Sequence, residues 1–138
     1  MNRSRTLILV AIALALVPAG VSAQRCLGGN PAITHVEVQS THVMGKMNQY
    51  VLVGTVKNLG TANQPSNTLQ FVDIYNEAQR VDSKSIPPLP ASGTYHFTYD
   101  WNRAVDAGAG STKFVFKIRM VQGTNCNPSN GGAYTLKF

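Results

Sequence analysis

The chain has 138 residues, with 12 Lys or Arg, 6 Asp or Glu and a formal net charge of +6. Only 13% of residues are charged and the basic ones are scattered rather than blocked, so there is no basic tail or stripe of the kind that binds nucleic acid or a membrane surface. The length allows one domain of common size, and the abundant Gly, Ser, Thr and Asn suit short strands and turns.

The chain opens with Arg3 and Arg5, an apolar run from Thr6 to Val17, then Pro18, Gly20 and the small-residue triplet Val21-Ser22-Ala23. That order is the pattern of an export signal cleaved after Ala23. An apolar run of about a dozen residues falls short of the ~20 that a spanning helix needs, so no membrane anchor is expected. Lipidation is not expected either, because Arg25 precedes Cys26 where a lipoprotein signal needs a small residue. The reading is therefore a signal peptide at 1–23 and one domain at 24–138, periplasmic or secreted. The signal takes two of the twelve basic residues and none of the six acidic ones, which leaves the domain at +4.

No segment of the domain has helical periodicity, whereas runs rich in Val, Thr, Phe and Tyr recur between turn clusters, and seven strands are predicted. The first spans about Ile33 to Gln39, with Val36 and Val38 facing inward and His35, Glu37 and Gln39 outward. The second, Gln49 to Lys57, ends at Asn58-Leu59-Gly60, read as a turn, since Gly and Asn can take positive φ at little steric cost. Leu69 to Tyr75 follows a polar loop, and Asn76 to Gln79 turns the chain into Arg80 to Ile86, which Pro87, Pro88 and Pro90 stop. In Thr94 to Trp101 the residues Tyr95, Phe97, Tyr99 and Trp101 share one face. Phe114, Phe116, Ile118 and Met120 then alternate with Lys113, Val115, Lys117 and Arg119, and Ala133 to Phe138 closes the chain.

About seven short antiparallel strands in this length point to an all-β, immunoglobulin-like β-sandwich. In that topology the start of the first strand and the loop before the last strand lie at the same end. Cys26 and Cys126 fall at those two places. An even cysteine pair in an oxidising compartment is expected to bridge, and closing a loop of this size is worth roughly 4–5 kcal/mol in the chain-entropy model. The wide spacing argues against a redox dithiol.

Three segments together carry a resemblance: Val51-Leu-Val-Gly-Thr-Val-Lys-Asn-Leu-Gly-Thr-Ala62, Phe71-Val-Asp-Ile-Tyr75, and Leu89-Pro-Ala-Ser-Gly-Thr-Tyr-His-Phe-Thr-Tyr-Asp-Trp101. Their order and spacing resemble the CARDB family of bacterial cell-adhesion-related domains, from about Ile33 to Arg119. The shared hallmarks are Asn58 and Gly60, the Gly93 before an aromatic-rich strand, and the Trp101 that closes it. The resemblance implies an immunoglobulin-like sandwich on exported bacterial proteins, used as an accessory module for adhesion or binding. Val121 to Gly132 departs from the family pattern: it holds no Asp or Glu and carries Cys126, so cation binding by that segment is not expected.

The candidate chemistry is sparse. His35 and Glu37 share a face, but no third residue stands at a telling spacing for a metal. His42 is read as a loop residue. His96 and Asp100 share a strand face roughly 13 Å apart, too far for a direct acid–base pair. Gly108-x-Gly110 lacks the third glycine and the helix of a phosphate loop and reads as a turn. The aromatic row of Tyr95 to Trp101 reads as core, with a sugar-stacking platform as its rival. Lys113, Lys117 and Arg119 form the one same-face charge row that periodicity predicts, either a solvated strand face or a patch that steers an anionic partner. No catalytic residue, metal or cofactor is assigned. The expected function is a non-enzymatic binding or structural module for an envelope or extracellular protein, or an anionic polymer. A carbohydrate- or polymer-binding domain is the alternative, and a small secreted hydrolase the third reading.

Overall fold

The structure, a computed structural model, describes residues 28–138. The expected signal peptide and Cys26 lie outside the described residues. Seven strands follow in order: β1 (Pro31–Met44), β2 (Met47–Asn58), β3 (Leu69–Asn76), β4 (Gln79–Ile86), β5 (Thr94–Ala104), β6 (Ser111–Gln122) and β7 (Gly132–Lys137). They form a three-stranded sheet in the order β1-β2-β5 and a four-stranded sheet in the order β4-β3-β6-β7, with every pairing antiparallel. This is an all-β, immunoglobulin-like sandwich. Its fourth strand lies beside β3, whereas in the constant-type arrangement it joins the sheet of β5.

Each predicted strand is present, and the first two are longer than their patterns suggest. β1 runs on past Gln39 to Met44, and β2 begins at Met47, so that the two form a long hairpin and His42 sits on a strand instead of in a loop. Register shifts between Ile33 and His35 and between Val38 and Ser40 interrupt the alternation of β1, which hides its continuation from a period-two reading. Gly45 (φ 61°) occupies the first central position of the two-residue connection, where the hairpin twist calls for positive φ.

The core lies between the two sheets and is dominated by aromatic rings. Phe114 and Phe116 are fully buried, and Leu52, Val56, Val72 and Ile74 fill the space around them. Truncating either Phe would cost about 3–5 kcal/mol by the usual transfer and cavity terms. The row predicted on β5 faces inward: Phe97 is buried, and Tyr95, Tyr99 and Trp101 pack against the core. Phe97 meets Phe116 at 5.7 Å between ring centroids, and Tyr99 and Trp101 approach Phe114 edge-on at 5.8 and 5.6 Å. The row is core, so it offers no sugar-stacking surface.

Gly54 stands opposite Phe97 in the β2–β5 ladder, and the Phe97 ring lies across it. A Cβ built at Gly54 would fall 2.1 Å from Phe97 Cζ. Gly54→Ala should therefore push the ring out of the core and destabilise the fold by about 1–3 kcal/mol, the usual range for overpacking. Urea unfolding measures this, and an unchanged midpoint would contradict the packing described.

Candidate functional site

On the outer face of the four-stranded sheet, alternation fixes which residues look outward. Val72 and Ile74 of β3 and Phe114, Phe116 and Ile118 of β6 are in the core. Phe71, Asp73 and Tyr75 therefore share the outer face with Lys113, Val115, Lys117 and Arg119. The register sets Tyr75 opposite Val115, Asp73 opposite Lys117 and Phe71 opposite Arg119.

Asp73 faces outward yet is only 3% exposed, because its neighbours cover it. Arg119 donates from Nε to Asp73 Oδ2 (2.8 Å) and from Nη2 to Oδ1 (3.1 Å), in a two-pronged pair. Ser83 Oγ donates to Oδ1 at 2.6 Å, and Arg80 Nη1 lies 3.7 Å from Oδ2. The hydrogen bond from Arg119 holds the Asp73 carboxyl below its ordinary value. Burial opposes that shift, while Ser83 and the charges of Arg119 and Arg80 reinforce it. In return Asp73 raises the Arg119 guanidinium above its ordinary value. The Arg119 guanidinium also lies over the Phe71 ring at 4.6 Å, and Lys117 Nζ lies over the Tyr75 ring at 4.9 Å.

A groove of about 640 Å³ opens beside this cluster. It exists because β6 outlasts β7: the ladder between them stops at Phe116 opposite Gly132, while β6 continues to Gln122. The chain between β6 and β7 turns back and sets Pro128, Ser129 and Gly131 as the opposite wall, facing Tyr75, Lys117 and Arg119.

That wall is held in place through a chain of amides. Asn130 Nδ2 donates to Asn30 Oδ1 (2.6 Å), and the Ile33 N–H donates to the Asn130 carbonyl (3.0 Å). The Asn30 N–H in turn donates to Asn58 Oδ1 (3.0 Å), which also accepts from the Gly60 N–H (2.9 Å). Asn58 is fully buried, and its Nδ2 donates to the carbonyls of Ala62 (3.0 Å), Leu89 (3.3 Å) and Pro90 (3.1 Å). The turn expected at Asn58-Leu59-Gly60 makes no use of positive φ: the described residues with positive φ are Gly45, Glu77, Ser92, Gly108 and Gly123. Asn58 serves here as a buried linker. Gly60 serves close approach, since a Cβ there would stand 2.7 Å from the Gly28 carbonyl oxygen.

Of the predicted row, Lys117 and Arg119 line the groove, and Arg119 is committed to Asp73. Lys113 is exposed on the same face near the opposite end of β6, where its carbonyl accepts from the Glu77 N–H. Cys126 sits in the wall segment with its N–H on the Gly29 carbonyl (3.2 Å) and its Sγ 3.6 Å from the Gly28 carbonyl oxygen. The start of the described chain and the loop before β7 therefore meet at one end. Asp73, Arg80, Ser83 and Tyr75 were not singled out from the sequence. The one signal was a carboxylate placed inside the otherwise apolar Phe71-Val-Asp-Ile-Tyr75.

The remaining candidates lie elsewhere. His35 and Glu37 are exposed on the outer face of the three-stranded sheet, with Nε2 and Oε2 3.3 Å apart. On that same face His96 Nδ1 is 3.0 Å from Thr55 Oγ1, and His42 Nε2 is 3.0 Å from Ser40 Oγ. Gly108 lies in a turn whose Ala107 and Gly108 carbonyls accept from Arg103.

No protein-family model matches the chain, and no curated protein matches it in sequence. Among solved structures, the chain is similar to the CARDB domain of the PF1109 protein from Pyrococcus furiosus, crystallised in complex with di-metal ions. The similarity has a TM-score of 0.54 at 15% identity and covers 80% of this chain and 86% of that one. The chain folds as a CARDB-like domain.

The Asp73 cluster sets a pH dependence. Its folded-state carboxyl titrates below the ordinary 3.8, so its stabilisation is complete above that value and is lost as pH falls through the lowered one. Urea midpoints between about pH 5 and pH 2 should fall further for the natural protein than for Asp73→Asn, which has no carboxylate to protonate there. Equal losses would contradict the assignment.

Proposed function

We propose that this chain is an exported, non-enzymatic binding module of adhesion type, which engages an anionic protein or polymer at the bacterial envelope or outside the cell. The observation that carries this reading is the charge balance of the groove. Arg80, Lys117 and Arg119 gather around the single carboxylate of Asp73. Among the described residues, Lys117 has no carboxylate partner, and it stands on the aromatic floor that Tyr75 provides. A concave surface with apolar flooring and surplus positive charge fits an anionic, partly apolar ligand. The CARDB-like fold supports a binding role over catalysis, and the one carboxylate that lines the groove, Asp73, is taken up by Arg119 and Ser83.

The di-metal ions of the Pyrococcus furiosus domain are not carried over. Among the described residues no group of three or more His, Cys, Asp or Glu side chains is arranged to hold a metal ion. The proposal includes export after cleavage at Ala23 and a bridge between Cys26 and Cys126. That bridge would tie the start of the domain to the segment that walls the groove.

The test uses Lys117→Gln, because Arg119 is needed to cover Asp73. Capture of the protein on immobilised poly-L-glutamate at low salt should weaken about three- to fivefold in Lys117→Gln, with an unchanged melting temperature. Lys113→Gln, on the same face but outside the groove, should retain near-natural capture. Equal losses in both variants would mean diffuse attraction by net charge, and the groove reading would fall.

A further inference from the structure

We propose that the groove takes its ligand by strand addition: an extended, acidic polypeptide segment pairs its main chain with the edge of β6 from Lys117 to Gln122, alongside the sheet where β7 has stopped. This rests on the groove being the binding site, and it specifies what binds and how.

Four observations carry it. First, β6 continues six residues beyond its ladder with β7, and in that stretch the strand paired with it among the described residues is β3, on its other side. Second, Phe116 and Ile118 line the groove although their side chains belong to the core. What they present to it is therefore main chain. Third, the opposing wall directs its main-chain groups away from β6: the Asn130 N–H goes to the Asn127 carbonyl and the Gly131 N–H to the Ser129 carbonyl, the Asn130 carbonyl accepts from the Ile33 N–H of β1, and Pro128 has no N–H to offer. The wall thus stands beside the β6 edge without pairing to it.

Fourth, the side chains along this edge select the partner. Lys117 and Arg119 alternate outward, so a strand added next to β6 places every second side chain of its own beside them, at cross-strand distances of about 4.5–5.5 Å. Acidic residues at those positions meet positive charge. A second copy of this edge would set cation against cation, so the same residues disfavour self-pairing. Six residues of strand span about 20 Å and offer alternate N–H and C=O groups to the groove, a pattern that an extended peptide matches and a sugar chain does not.

The probe is a fluorescein-labelled, end-capped peptide with alternating acidic and β-branched residues, Thr-Glu-Val-Glu-Val-Glu-Thr. It is compared with two versions N-methylated on one or the other alternation, and with hexagalacturonate as a non-peptide polyanion. Titrated into the folded protein, the parent peptide should slow amide hydrogen exchange within Lys117 to Gln122. Methylation on the pairing alternation should weaken binding about tenfold or more, and methylation on the other should leave it within about twofold. If both methylated peptides bind as the parent does, main-chain pairing is absent and strand addition falls while the groove reading stands. Tighter binding of hexagalacturonate than of the parent peptide overturns the choice of a polypeptide. If neither polyanion binds, the groove reading falls with it.

Discussion

One buried amide sets the shape of the groove end of this sandwich. Asn58 closes β2 with its side chain wholly out of solvent. Its oxygen accepts two main-chain N–H groups, and its nitrogen serves three main-chain carbonyls. A buried polar group is tolerable when its hydrogen-bonding capacity is satisfied, and one that is fully satisfied fixes its neighbours uniquely. The neighbours here are the start of the domain, the loop after β2 and the proline-rich loop before β5, which share no regular structure. Gln64 and Gln70 add a second tie: their amides bond reciprocally at 2.9 and 2.7 Å, and they also engage the Leu89 N–H and the Pro87 carbonyl. Through Asn30 and Asn130 the constraint at Asn58 extends to the wall of the groove.

The opposite wall is organised by electrostatics. An outward-facing carboxylate in the middle of β3 would ordinarily be solvated, but Asp73 is roofed by Arg119 and Ser83, and Arg119 is itself supported by Phe71. Removing one partner of such a pair leaves a charge in a place built for two, so Arg119 is tied to stability as well as to charge. The cation of the groove that no carboxylate pairs among the described residues is then Lys117, whose ammonium lies over Tyr75, with Arg80 at the margin of the cluster. One row of three cations in the sequence thus divides into a structural residue, a groove residue and an exposed residue beyond the groove.

The legible parts of the molecule were those governed by local periodicity. The inward row on β5 and the alternation of β6 could be read directly because unbroken period-two patterns leave one choice of face. The hairpin of β1 and β2 could not, since two register irregularities and a polar tip erase the pattern. The sheet to which β4 belongs was also hidden, because the choice between β3 and β5 as partner is made by contacts distant in sequence. Asn58 and Gly60 stood out as a motif, but the motif suggested a turn. Their partners, Asn30, Leu89 and Pro90, lie 28 to 32 residues from Asn58, and nothing local announces them. The Asp73–Arg119 pair spans 46 residues, which explains why the row on β6 was visible and its anchoring was not.

The Asn58 amide holds the groove wall in register with the rest of the sandwich. Native-state amide hydrogen exchange in Asn58→Ala tests it most directly, because local opening can be followed residue by residue. Stability should fall by about 3 kcal/mol in that variant, as several buried partners lose their bonds. Exchange should be faster by about tenfold or more at Asn30, Gly60, Asn130 and Gly131, with the β5 and β6 core still protected. Natural protection at Asn130 and Gly131 in that variant would contradict it.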